Sequence, residues 1–107
     1  MTWAIDSSGT QTASINTEHI LAQPTTNGTY VLKVDTVNMV NGDLLEIRVY
    51  DKVDGTNYRQ EWKGTYQHIQ INNSKPSPPI IVTTQMKATL KQVAGTGRDF
   101  PWSLRRQ

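Results

Sequence analysis

Thr29-Tyr30-Val31-Leu32-Lys33-Val34-Asp35 and Leu44-Leu45-Glu46-Ile47-Arg48-Val49-Tyr50-Asp51 decide the architecture. In the first run Tyr30, Leu32 and Val34 share one side, and Val31, Lys33 and Asp35 the other. In the second, Leu45, Ile47 and Val49 turn inward while Glu46 and Arg48 turn out. Side chains alternate across a strand with period two, so each run is a strand with one dry and one wet face. The connector 37–43 ends in Asn41-Gly42, a turn signal. It is too long for a tight hairpin, so it crosses between sheets or makes a short irregular turn.

Working outward, Val53-Asp54-Gly55-Thr56 reads as a tight turn pairing 44–52 with the run Tyr58 to Ile71. Gly64 in that run predicts a bulge or a strand that switches sheets. Asn72 to Pro79 holds three prolines and predicts a polyproline-like loop outside any central ladder. Ile80–Thr84 and Met86–Gln92 read as one long strand or two short ones. Gly95-Thr96-Gly97 turns the chain into a last strand with Phe100, Trp102 and Leu104 inward, and Pro101 marks that strand as an edge or its start. Near the N-terminus, Trp3 and Ile5 anchor a short strand, Thr10–Ile15 a second, and Glu18–Ala22 a strand or a helical turn. The sum is an all-β chain, an antiparallel β-sandwich, Ig-like or jelly-roll-like, of seven or eight short strands. At 107 residues there is room for one core, so 1–107 is a single domain, with 1–28 and 98–107 as candidate extended segments.

Composition narrows function. With no cysteine, disulfides, thiolate metal sites and thiol nucleophiles are excluded. No apolar stretch approaches the ~20 residues that span a bilayer. Met1 to Asp6 lacks a basic, apolar leader, which predicts a complete gene product folding in a cytoplasm. Asn27-Gly28-Thr29 and Asn72-Asn73-Ser74 match the glycosylation sequon but read as turns. The net charge of +2 is uneven: residues 1–86 carry six basic residues against eight acids, whereas 87–107 carry Lys87, Lys91, Arg98, Arg105 and Arg106 against Asp99 alone. Such a tail suits docking on an acidic surface, or simply keeps the end soluble.

No reaction centre emerges. His19 and His68 have no metal-ligand spacing, and no nucleophile elbow, Walker loop or dinucleotide fingerprint is present. Gly95-Thr96-Gly97-Arg98 is too short to cradle a phosphate. Glu46 and Glu61 could face one another across the hairpin as a glycosidase pair, but Arg48, Arg59 and Lys63 beside them favour ion pairs. The chain therefore reads as a non-enzyme without cofactor or metal. Tyr58, Trp62 and Tyr66, four apart, fall on one strand face. Exposed, they would stack sugars or single-stranded nucleic acid; buried, they fill a core that needs most of the eight aromatics.

Thr26 to Asp35, Met39 to Arg48, and Ala88 to Gln92 running into Gly95 to Trp102 resemble small proteins encoded among the structural genes of tailed bacteriophages. The resemblance covers about two-thirds of the chain. It implies a virion component, a capsid decoration or cement protein assembled in the host cytoplasm. It also implies partners in the major capsid protein or other virion proteins, as a homo-oligomer or lattice-bound copies, with neither membrane nor nucleic acid. Candidate docking residues are Trp3 and Ile5, the loop prolines Pro76, Pro78 and Pro79, and Trp102, Arg105 and Arg106, since Trp and Arg dominate interface hot spots. Two alternatives remain open: a carbohydrate-binding module of a tail or fibre, and a small barrel for single-stranded nucleic acid.

Overall fold

The period-two runs of the sequence become strands at nearly the expected bounds. The computed structural model describes residues 3–107, and among these it has nine strands and no helix. They are β1 (Ala4–Thr12), β2 (Glu18–Ala22), β3 (Gly28–Asp35), β4 (Leu44–Asp51), β5 (Arg59–Gln67), β6 (Ser74–Pro76), β7 (Ile80–Val82), β8 (Met86–Ala94) and β9 (Asp99–Arg106). All pairings are antiparallel. One sheet, A, runs β1-β9-β3 with β6 and β7 both against the far side of β3; the other, B, runs β2-β8-β4-β5. Counting β6–β7 as one interrupted strand, this is the eight-position order of a jelly roll. The seven or eight expected strands become nine because a bulge splits that edge.

The two layers meet on their alternating apolar positions. Tyr30, Leu32, Val34, Ile80, Val82, Phe100 and Leu104 of sheet A face Leu45, Ile47, Val49, Met86, Ala88 and Leu90 of sheet B, all buried. Each large aliphatic so placed contributes roughly 1.5–3 kcal/mol relative to leaving it exposed. The 37–43 connector crosses between sheets, as its length allowed, and Ile80–Gln92 divides into β7 in sheet A and β8 in sheet B.

Four expectations need correction. Residues 1–28 and 98–107, expected as extended segments, supply β1, β2 and β9 to the body over their described residues. Phe100 and Leu104 are buried core, and that burial holds the C-terminal end in place. The proline segment is an edge strand. Ser77 donates its N–H to the Leu32 carbonyl (2.7 Å), and its hydroxyl accepts the Leu32 N–H (3.0 Å), so a side chain keeps the ladder intact beside Pro78-Pro79. Gly64 sits in regular register opposite Ile47. An added Cβ there would lie 2.7 Å from the Trp62 ring and 3.0 Å from the Tyr66 hydroxyl, so the glycine makes room for two aromatics that close over it.

The bulge in this hairpin lies elsewhere: Val49 pairs with Trp62 but Tyr50 with Gln60, leaving Glu61 as the extra residue. One inserted residue reverses the facing of everything before it. Trp62 and Tyr66 pack on the core, whereas Tyr58 lies on the outer side of sheet B, where Lys87 Nζ is 4.6 Å from both the Tyr50 and Tyr58 ring centroids. The three aromatics are not in a row.

One end of the sandwich is closed by polar groups. Gln92, wholly buried, donates to the Ala94 and Thr96 carbonyls (3.1 and 2.8 Å) and accepts the Arg98 N–H (3.0 Å). Arg98 Nε donates to buried Asp43 (2.9 Å), whose same oxygen takes the Val40 N–H. Both histidines serve as acceptors in turns: His19 Nε2 for the Ser14 N–H (3.0 Å) and His68 Nδ1 for the Gly42 N–H (2.8 Å).

The sheet edges differ in protection. β5 carries Arg59, Glu61 and Lys63, β2 has five residues, and the β6–β7 edge is broken by prolines, whereas β1 has no proline and one charge, Asp6. Gly95 has φ +92°, and a methyl on it would collide with the Asp43 carboxylate; Gly42 has φ +99° with open space around it. Gly42→Ala is therefore expected to cost about 1 kcal/mol and Gly95→Ala about 3 kcal/mol or more. Urea midpoints measure both, and equal losses would mean that the 94–98 turn yields freely.

Candidate functional site

Which faces are left over after the core is built? Sheet B's outer side is covered by its own charges. Glu46 takes Arg48 Nη2 at 2.6 Å and Lys63 Nζ at 3.1 Å, and Glu18 accepts the Tyr50 and Thr89 hydroxyls at 2.7 Å each. Burial pushes both carboxyls upward, but the hydrogen bonds and the neighbouring cations outweigh it and hold them below their ordinary value. Tyr50, half-buried and bonded to Glu18, is pushed up to about 12. Glu61, alone on its bulge, shifts the other way: burial and Asp51 raise it. Glu46, opposite Thr65, is committed to two cations, and Glu61 sits at the bulge between the Val49–Trp62 and Tyr50–Gln60 pairs, so the two carboxyls do not face one another across the hairpin. Among the described residues no group of three or more His, Asp or Glu is placed to hold a metal ion.

Sheet A's outer side is different. A second bulge, at Asp6, moves the register so that Ile5 pairs with Arg105 but Ser7 with Leu104. Ser7 therefore faces the core and Ile5 faces out. The register then lays down two rows across the sheet. One is Ile5–Arg105–Val31, with Pro79 at the far edge; the next is Ser8–Ser103–Lys33–Pro76. Trp3, Val31, Lys33 and Arg105 enclose a hollow of about 240 Å³. Beside it, Lys33, Asp35, Val37, Ser74 and Ser103 line a shallow trough of about 450 Å³. Trp3 is 40% and Ile5 61% exposed, and Ile81 on the rim 72%. Arg105 Nε donates to Ser103 Oγ at 3.3 Å.

Of the eight docking residues expected from sequence, Trp3, Ile5, Pro76, Pro79 and Arg105 are brought to this face. Pro78 is the bulge on its rim. Trp102, paired with Val34 and Gly9, has inward parity and packs partly against the core, while also contributing to the lining of the trough. Arg106 is also inward-facing, lies against Gly28, and meets Asp6 at 3.5 Å. Val31 and Lys33 belong to the face but were unmarked by sequence motif; their place as the outward half of the β3 alternation was the available signal. The C-terminal basic surplus does not form a patch. Arg98 is taken by Asp43, Arg106 by Asp6, and Lys87 by two tyrosine rings, while Arg105 lies on sheet A.

Because Glu18 and Glu46 have folded values below the ordinary 4.5, the unfolded chain binds more protons in the window beneath it. Their contribution is present above pH 4.5 and is lost as pH falls through the folded values. Glu18→Gln should cost about 1 kcal/mol at pH 7, discounted for a partly exposed carboxylate. The variant and the parent should converge on acidification. Chemical unfolding across pH checks this, and a gap that persists in acid would contradict it.

The chain matches no family model, no curated protein and no solved structure.

Proposed function

We propose that this chain is a non-enzymatic structural protein of a tailed-phage virion, decorating or cementing the capsid through the outer face of sheet A. The observation that carries the reading is the row Ile5, Arg105 and Val31 with Trp3 beside it, next to the trough. A rigid β-face that exposes tryptophan and arginine next to aliphatics has the composition of a protein–protein hot spot. Arg105, whose Nε donates to Ser103, offers its remaining planar donors to a carboxylate or backbone carbonyl on the partner. The phage resemblance of Thr26–Asp35, Met39–Arg48 and Ala88–Trp102 supplies the setting. Jelly rolls serve capsids and lectins alike, so the fold by itself favours neither. The carbohydrate reading depended on an exposed row of Tyr58, Trp62 and Tyr66, and the Glu61 bulge breaks that row.

Purified chain added to capsid shells that lack it should co-sediment at about micromolar concentration. Trp3→Ala and Arg105→Ala should each weaken the association by about 2 kcal/mol, roughly thirtyfold. Val53→Ala, in an exposed loop at one end of the sandwich, should leave it unchanged. No association by the parent chain, or equal retention by all three variants, sinks the assignment.

A further inference from the structure

The jelly roll gathers four loops, 13–17, 36–43, 68–73 and 95–98, at one end of the sandwich. Two of them present aliphatic side chains to water. Val37 and Val40 are 56% and 41% exposed, Ile69 and Ile71 62% and 96%. These are not independent tips. The His68 N–H donates to the Asp43 carbonyl (2.9 Å), and the Gly42 N–H to His68 Nδ1. Thr36 gives both its N–H and its hydroxyl to the Asn73 carbonyl (2.9 and 3.0 Å). Main-chain hydrogen bonds thus tie the 36–43 and 68–73 loops together at both of their ends. Ile15, in the adjoining 13–17 loop, adds another partly exposed aliphatic.

Charge is missing from this end. Its four loops contain one acid and one cation, Asp43 and Arg98, paired with each other at 2.9 Å. The remaining polar side chains are amides and hydroxyls, among them Asn38, Asn41, Gln70 and Asn72, together with the His68 imidazole, which accepts the Gly42 N–H. Asp35 and Asp99 lie at the strand ends on the rim, where charge stays solvated. A patch evolved against a charged partner carries the opposite charge. A patch that meets its own copy avoids like charges facing each other, and an apolar centre ringed by amides does so. The opposite end makes the contrast: among its described loop residues Val53 is the one exposed aliphatic, and Lys52 and Asp54 flank it.

We infer that this loop end is a contact surface between copies of the chain, with Ile69 and Ile71 of one copy set against Val37 and Val40 of another. Under two-fold symmetry each pair of loops meets the other pair twice. The contact is separate from the sheet A face, so one copy can engage both a shell and a neighbour. It does not depend on the shell assignment, and the purified chain alone tests it.

Sedimentation velocity of the chain from about 10 µM to about 1 mM should show reversible self-association in the weak range expected of a small interface. A double variant, Ile69→Lys with Ile71→Lys, puts two charges into the patch at exposed positions and should weaken association about a hundredfold or more. Its thermal unfolding should match the parent's. Val53→Lys, a single charge added at the other end, should associate as the parent does; Ile69→Lys and Ile71→Lys, each alone, would do so only if the patch is not the contact. A parent that stays monomeric throughout, or a double variant that associates like it, overturns the inference. So does binding to uncharged phosphatidylcholine vesicles that the double variant abolishes, which would assign the end to a lipid surface instead.

Discussion

Strand β9 is the centre on which sheet A closes, and its entry is set by one buried amide. Gln92 leaves β8 in sheet B, ties down the Ala94 and Thr96 carbonyls, and receives the Arg98 N–H that begins the next strand. All three of its side-chain bonds go to main chain. The turn between the sheets is thereby fixed in shape as well as in length. A buried amide left unpaired costs more than a made hydrogen bond gains, so the arrangement tolerates little slippage. From that turn β9 pairs with β1 on one side and β3 on the other. The outward row that includes Ile5, Arg105 and Val31 is a consequence of the registers so set.

The two layers and the inward residues of β3, β4 and β9 could be read directly from the chain, because burial on one face imposes a period of two; the length of the connector 37–43 allowed either a crossing or an irregular turn, and it crosses. What escaped reading was the insertion of single residues. Asp6 and Glu61 each shift the register by one and turn the preceding side chains over. A bulge has no composition of its own, so alternation read straight through it gives the wrong face. There was a hint: unbroken alternation from Tyr58 would have put Gln60 inside beside Trp62, an amide with no partner in an apolar layer. The proline segment misled for a different reason. Prolines forbid donation on the bonded side only, and an edge has a free side; Ser77 then supplies with its hydroxyl what the bulge takes away.

The outer faces divide the work. On sheet B, Glu46 is paired with Arg48 and Lys63 and Glu18 with the Tyr50 and Thr89 hydroxyls, and such a surface offers a partner little that water does not already provide. On sheet A, tryptophan, isoleucine, valine and proline are left with few internal partners, and Lys33 and Arg105 make no ion pair among the described residues. Of the candidate docking residues, those at strand positions with outward parity lie together on this face. Trp102, whose alternation with Phe100 and Leu104 already placed it inward, and Arg106 share that inward parity.

The unequal guarding of the edges bears on polymerisation. Growth of a ribbon by strand addition requires a donor edge and an acceptor edge on the same sheet, so that each added copy presents a fresh one. In sheet A the β1 edge is open, while the opposite border is interrupted by Pro76, Pro78 and Pro79. A second copy that joined β1 to β1 would use up both open borders at once, leaving two proline-blocked margins outermost. Extension would stop at a pair, and a chain made almost entirely of strands would still be denied a route to fibres through that sheet.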